Sequence, residues 1–185
     1  NSITVSGALN MSGGTITATS NNLSLTANSI SAASGSLTTV TSGNITVNST
    51  GTVGSFTLGT VTAVGTINVG NTAAPASVTL KGAVTSSTST VTIYSNANIT
   101  QDGDISANAG ASDVKFYPDT DNNSPTSTFT HTSGTVTATN TQFYFPASSV
   151  TAFTLEGADA SAGTTNYIYV GSSSSNSPAS VNITG

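Results

Sequence analysis

The chain has 185 residues, of which only 5% are charged, and it carries a net charge of −5 at pH 7. Lys81 and Lys115 are its only lysine or arginine residues, too few for the basic patch with which nucleic-acid-binding proteins neutralise phosphates. Cys is absent, and no apolar run approaches the roughly 20 residues of a membrane-spanning helix. We therefore expect no nucleic-acid partner, no membrane span and no disulfide.

Short segments in which apolar and polar residues alternate recur along the whole chain. Alternation with a period of two places one set of side chains inward and the other outward on a β-strand. Gly, Asn and Ser separate the segments, as sharp bends require, and no segment has the spacing of an amphipathic helix. The clearest segments, in chain order, are Ser2–Val5, Gly14–Thr19, Asn22–Thr26, Asn44–Val47, Ser77–Leu80, Thr90–Tyr94, Asn98–Thr100 and Ser180–Thr184.

Two all-β architectures accommodate these segments: a parallel β-solenoid and, as the alternative, a β-sandwich or barrel of antiparallel hairpins. Residues 1–80 contain no charged residue and a single aromatic one, Phe56. Small side chains suffice in a solenoid because each turn stacks on the next at about 4.8 Å, whereas a sandwich needs larger core residues. We therefore predict a solenoid with turns of roughly 20–25 residues.

The composition changes near residue 94. All seven acidic residues and all but one of the aromatic residues lie from this point onward. We therefore treat residues 1–185 as a single solenoid segment with two parts. Residues 1–93 form regular rungs that are uncharged apart from Lys81, and residues 94–185 form rungs with aromatic and acidic residues and longer loops. Candidate loops are Pro118–Pro125 and Gly171–Pro178.

Three segments carry a family resemblance. The run Asn96–Ala107 (NANITQDGDISA), together with Ser42–Val47 (SGNITV) and Gly13–Ala18 (GGTITA), resembles the repeats of filamentous-haemagglutinin-type exoproteins. The resemblance is compositional and covers mainly residues 1–110. It implies a parallel right-handed β-helix that is exported through an outer-membrane partner and adheres to surfaces, to host cells or to other copies.

The two ends of the sequence, 1–7 and 179–185, have the composition of ordinary strand units. Finite solenoids need polar capping repeats, and uncapped strand edges recruit other strands. We therefore expect either that the chain continues or that copies stack end to end. The expected partners are neighbouring repeats or copies of the same chain, and in addition a glycan or protein on a host or cell surface.

Catalytic residues are not expected. A glycosidase or lyase needs clustered carboxylates, and the pair Asp102 and Asp104, two residues apart, is better explained as solvated aspartates in a turn. His131 is the only histidine and has no specific nucleophile partner in the sequence, so an ordinary strand position is expected. We predict that the chain is not an enzyme and that it has no cofactor.

One segment has the spacing of calcium ligands. Asp119, Asp121 and Asn123 follow the Asp-x-Asp-x-Asn order of a calcium loop. Ser124 replaces the turn glycine and Thr130 replaces the bidentate glutamate, so the match is incomplete. These three residues are a weak calcium candidate, and an ion-free Asx turn is the competing interpretation.

The aromatic run Phe143–Pro146 is the most distinctive feature of the second half. Alternation predicts that Phe143 and Phe145 are buried together and that Tyr144 is exposed. Exposed aromatic residues often anchor interfaces, so Tyr144, Tyr167 and Tyr169 form a candidate contact patch for a glycan.

The sequence thus predicts a non-enzymatic structural or adhesive segment of a bacterial cell-surface or extracellular protein, acting as a stacked-strand shaft. Two alternatives remain: a self-assembling subunit of an extracellular filament, sheath or surface layer, and a glycan-binding module.

Overall fold

The computed structural model describes residues 1–108, 112–118, 120–121 and 126–145, and three further strands near the C-terminus. Backbone alone is described for those three strands and for Thr126, Ser127 and Phe145. The described residues form strands, turns and bends and contain no helix.

The strands are short, apart from one of 17 residues. In chain order they are β1 (Ser2–Asn10), β2 (Thr15–Ala18), β3 (Leu23–Thr39), β4 (Ile45–Ser49), β5 (Ser55–Ala63), β6 (Ile67–Val69), β7 (Ser77–Leu80), β8 (Val84–Ser86), β9 (Val91–Tyr94), β10 (Asn98–Gln101), β11 (Ile105–Ala107), β12 (Asp113–Tyr117), β13 (Thr126–His131), β14 (Val136–Thr137), β15 (Asn140–Phe145), β16 (Ala152–Glu156), β17 (Thr165–Val170) and β18 (Ser180–Thr184).

Every strand pairing between these elements is parallel, and the pairings form three series. Face 1 runs from the start of β1 through the start of β3, then β4, β6, β9, β12, β15 and β17. Face 2 runs from the end of β1 through the middle of β3, then β5, β7, β10, β13, β16 and β18. Face 3 runs through β2, the end of β3, the end of β5, β8, β11 and β14.

The chain is therefore a parallel β-solenoid, in which each turn contributes one strand segment to each face. The prediction of an all-β solenoid is confirmed, and the sandwich alternative is wrong for the described strands, since hairpins would pair antiparallel. Hydrogen-bonded partners in successive turns are, for example, 21, 23 and 25 residues apart in the first half of the chain. Examples from the second half are 24, 27 and 31 residues apart.

The interior consists of columns of like side chains. On face 1, Leu23, Ile45, Ile67, Val91 and Val114 lie one above another in register, and each is at most 1% exposed. Burying a side chain of this size stabilises the fold by about 1.5–3 kcal/mol. The alternation in each strand produces these columns because parallel register places every inward residue on the inward residue of the previous turn.

Phenylalanines fill the interior of the later turns. The ring centroid of Phe116 lies 4.6 Å from that of Phe129 and 5.2 Å from that of Phe143, and Phe129 meets Phe143 edge-on at 4.8 Å. Phe143 is buried, as alternation predicts, whereas the side chain of Phe145 lies outside the described residues. This cluster joins face 1 to face 2 across the interior.

A column of glycines forms the corner between face 2 and face 3. A Cβ added at Gly82 would lie 2.6 Å from the carbonyl carbon of Gly59, and one at Gly103 would lie 2.4 Å from the carbonyl oxygen of Gly82. At Gly134 a Cβ would lie 2.5 Å from the carbonyl carbon of Gly103. Real Cβ contacts are never this short, so the turns approach closely here because no side chain separates them.

Asparagine amides connect successive turns at other bends. The backbone N–H of Asn44 donates to Asn22 Oδ1 at 2.9 Å, and that of Thr66 donates to Asn44 Oδ1 at 2.8 Å. Asn98 Oδ1 accepts from the backbone N–H of Thr128 at 3.0 Å. Asn directly before a strand, or at its first residue, therefore supplies an acceptor to the following turn, just before the residues at which the two strands pair.

Candidate functional site: a tyrosine ladder on face 1

Three tyrosines stack on the outer side of face 1, one from each of β9, β12 and β15. The rings of Tyr94 and Tyr117 have centroids 4.6 Å apart and planes inclined by 16°. The rings of Tyr117 and Tyr144 have centroids 4.4 Å apart and planes inclined by 3°. We call Tyr94, Tyr117 and Tyr144 the tyrosine ladder; each ring is half-buried.

Strand register produces the ladder. Tyr117 pairs with Tyr94, and Phe143 pairs with Phe116, which places Tyr144 beside Tyr117. Parallel in-register strands bring identical side chains within contact distance, and aromatic rings at such distances attract each other in offset stacks.

Strand register gives the backbone positions of the predicted contact patch, which consists of Tyr144, Tyr167 and Tyr169. In the pairing of β15 with β17, Tyr169 is the partner of Tyr144 and Tyr167 is the partner of Gln142. The side chains of Tyr167 and Tyr169 lie outside the described residues. Sequence reasoning missed Tyr94 and Tyr117, although Tyr94, Tyr117, Tyr144 and Tyr169 recur at about the length of one turn.

A polar network runs beside the ladder. Asn140 Nδ2 donates to Asp113 Oδ1 at 2.8 Å, and Gln142 Nε2 donates to Asp113 Oδ2 at 3.0 Å. Tyr144 Oη donates to Gln142 Oε1 at 2.5 Å, and Lys115 Nζ lies 3.7 Å from Asp113 Oδ2. The carboxylate thus bridges two turns, and the network fixes the phenol of Tyr144 through Gln142.

Two phenols of the ladder, those of Tyr94 and Tyr117, ionise less readily than free tyrosine. Burial, and after it the charge of Tyr144, raises the pKa of Tyr94 and of Tyr117 above the ordinary value of 10. The phenols of Tyr94 and Tyr117 are therefore neutral at physiological pH.

The stacked arrangement defines what a ligand can reach. Tyr117 has a tyrosine ring on each side, so both of its faces are covered and only its edge and hydroxyl face outward. A glycan that bound here would contact ring edges, hydroxyls and the polar network, because stacking on the face of Tyr117 is blocked.

Asp102 and Asp104 lie at the glycine corner, on either side of Gly103. Asp102 forms an ion pair with Lys81 of the preceding turn and accepts hydrogen bonds from the hydroxyls of Thr132 and Ser133 of the following turn, both at 2.9 Å. These bonds, with the Lys81 bond foremost, lower the pKa of Asp102 to about 2.

Asp104 has a similar set of partners. Its Oδ1 accepts from the backbone N–H of Thr135 at 2.9 Å and from the Thr135 hydroxyl at 3.1 Å. Both carboxylates of this pair therefore connect neighbouring turns, which accounts for their position beside the closest approach of the backbone.

The remaining sequence candidates have simpler environments. Asp121 is exposed in a turn, and Asp119 and Asn123 of the calcium candidate lie outside the described residues. Within the described ranges, no group of three His, Cys, Asp or Glu side chains could hold a metal ion, so calcium binding stays a prediction. His131 is half-buried on β13, with Nε2 2.8 Å from the carbonyl oxygen of Gly134.

Comparison with known proteins gives no relative: no family model, curated protein or solved structure matches the chain. Among the described residues, there is no helix long and apolar enough to cross a membrane.

Proposed function

We propose that the chain is a non-enzymatic structural and adhesive segment of a bacterial cell-surface or extracellular protein, in which the stacked turns act as a shaft. The observation that carries this proposal is the continuity of the parallel ladders along all three faces. Each turn covers the apolar surface of the next, so the number of turns sets the length of the shaft and each turn contacts only its neighbours.

The resemblance to filamentous-haemagglutinin-type repeats supports an extracellular adhesive role. Its segments coincide with strand starts, since Asn44 directly precedes β4 on face 1 and Asn98 begins β10 on face 2. The pattern that the segments share is therefore one strand with an asparagine at its start or directly before it. This pattern recurs on different faces of the solenoid.

The environments of the carboxylates support a non-enzymatic role. Asp102, Asp104 and Asp113 each accept hydrogen bonds from a neighbouring turn. A general acid or base must be within reach of the proton that it transfers, whereas the hydrogen bonds of these groups hold the turns together.

An adhesion assay with the purified chain tests the proposal. Beads coated with the folded chain should attach to bacterial or host cells more than beads coated with albumin. Equal attachment would remove the adhesive part of the proposal. Incubation with extracellular polysaccharides should release no new reducing ends; release that Asp102→Asn or Asp104→Asn abolishes would instead identify an enzyme.

A second candidate, a self-assembling subunit, is favoured by the open edge of β1. Among the described strands, β1 pairs only with β3, and the apolar residues of the first turn are only partly buried: Ile3, Val5, Leu9, Met11 and Ile16. This edge has the hydrogen-bonding groups and apolar surface to accept one further turn.

Sedimentation velocity over a wide range of concentrations, with electron microscopy of the same samples, tests self-assembly. Stacking of copies through β1 should give species that grow with concentration, and a Val5→Lys substitution should reduce them. A monomer at all concentrations would exclude the second candidate and leave the first unaffected.

A further inference from the structure

We propose that the tyrosine ladder is a site of oxidative cross-linking, at which a peroxidase-class one-electron oxidant joins tyrosines of successive turns into dityrosine. This inference does not depend on the proposed function, so the two hold or fail separately.

The distances between the rings carry the inference. The centroids are 4.6 Å and 4.4 Å apart in the two stacked pairs, a separation close to that of two six-membered rings joined by one C–C bond. Coupling therefore requires the rings to tilt about their side-chain bonds, while the backbone register that brings them together stays in place.

The composition of the chain directs oxidation to this site. Cys and Trp are absent, and Met11 is the single methionine, so the usual competing side chains are almost missing. All five tyrosines lie between residues 94 and 169. The three rings of the ladder are half-buried rather than enclosed, so a diffusible oxidant has access to their hydroxyl-bearing edges.

The reaction balances with two tyrosine phenols and one H₂O₂, and it needs no further group from the protein. Each of two phenols loses one electron and one proton to the oxidant and becomes a phenoxyl radical. The two radicals form one C–C bond between their ortho carbons, and the two ortho C–H protons then move to the phenolic oxygens. One H₂O₂ takes up the two electrons and two protons and becomes two waters.

Cross-linking would give a chain without cysteine a covalent connection between turns. Tyr117 is the central member, because it is the only described residue that stacks on a tyrosine in both directions. A bond at Tyr117 would tie β12 to β9 or to β15 and would restrict the unfolded chain, in the way that a disulfide does.

Peroxidase treatment of the full chain tests the inference. The chain is incubated at low concentration with a haem peroxidase and H₂O₂, and the monomer is isolated and cleaved before aspartate residues. This cleavage separates Tyr94, Tyr117 and Tyr144 into the peptides 1–101, 113–118 and 121–158. We expect dityrosine fluorescence and a peptide 113–118 that is joined to 1–101 or to 121–158, at the summed mass less two hydrogens.

Three controls define the outcome. Tyr117→Phe should abolish both linked peptides because phenylalanine has no phenol to oxidise, whereas Tyr167→Phe should leave them unchanged. The same treatment in denaturant should also abolish them. The inference is overturned if peptide 113–118 stays unlinked in the folded monomer while other tyrosines are oxidised, or if linkage occurs only between separate chains.

Discussion

At the scale of the residue, close backbone approach and charge pairing between turns decide which positions tolerate change. The glycine corner is the clearest case, because backbone atoms of one turn occupy the space that a Cβ of the next turn would need. Beside it, Asp102 has an ion pair on one side and two hydroxyl donors on the other. These two features make the corner between face 2 and face 3 sensitive to single substitutions.

Gly103→Ala is expected to destabilise the chain strongly. The new Cβ would lie 2.4 Å from the carbonyl oxygen of Gly82, and overpacking of this kind costs about 1–3 kcal/mol. Gly13→Ala is the matched control, since nothing lies within 4 Å of its added Cβ. Denaturant unfolding should show a lower midpoint for Gly103→Ala alone; equal midpoints would contradict the close approach of the turns.

Acid is expected to remove the contribution of Asp102 to stability. Its pKa in the folded chain, about 2, is below the ordinary value of 3.8. The contribution is therefore fully present above about pH 4 and is lost as the pH falls toward 2. Asp102→Asn should flatten the fall of the melting temperature in this window, whereas Asp121→Asn, at an exposed turn position, should leave it unchanged.

At the scale of the element, the strands are short and the bends between them supply part of the contact between turns. An asparagine before a strand gives the following turn an acceptor that strand pairing does not provide. Asn22 and Asn44 form two successive steps of this kind. The bends are therefore ordered by specific side chains, and the strands by backbone pairing and alternation.

Asn44→Ala is expected to lower the free energy of unfolding by about 1 kcal/mol, because it leaves the Thr66 N–H without its acceptor. Asn44→Asp keeps a side-chain oxygen at the same position and is expected to lose less. Paired denaturant titrations of the two variants check the difference. If Asn44→Ala and Asn44→Asp are equally stable, the inter-turn bond contributes nothing measurable.

At the scale of the whole molecule, the solenoid is a linear array in which each turn is stabilised by the turns on either side. The described first turn has strand partners on one side only. Its larger apolar side chains are half-buried, whereas the core side chains of the following turns are almost fully buried. Stability should therefore vary along the axis instead of being uniform.

Hydrogen exchange is expected to show this gradient. Amides of β1 and β2 should exchange faster than those of β4, β6 and β9, which have partner strands on both sides. Mass spectrometry of exchanged peptides measures the difference. Equal protection of β1 and β4 at concentrations where the chain is monomeric would show that the first turn is stabilised in another way.

The sequence by itself determined the all-β class, and it favoured the parallel stacking that the structure shows. Leu23 and Ile45 were recognisable as inward residues of the predicted segments Asn22–Thr26 and Asn44–Val47, because alternation with a period of two has only one arrangement that buries them. The scarcity of large side chains in residues 1–80 favoured the solenoid over an antiparallel sandwich, and the observed parallel ladders confirm this preference.

Only the tertiary structure decided which residues lie above one another. Successive turns differ in length, from 21 residues between Lys81 and Asp102 to 31 between Asp102 and Ser133, so counting along the sequence does not give the register. The extra residues of the longer turns lie outside the paired strand segments. Strand pairing therefore aligns Tyr94, Tyr117 and Tyr144 in one column. The tyrosine ladder and the glycine corner are consequences of that alignment, because contacts between turns depend on register and not on distance along the chain.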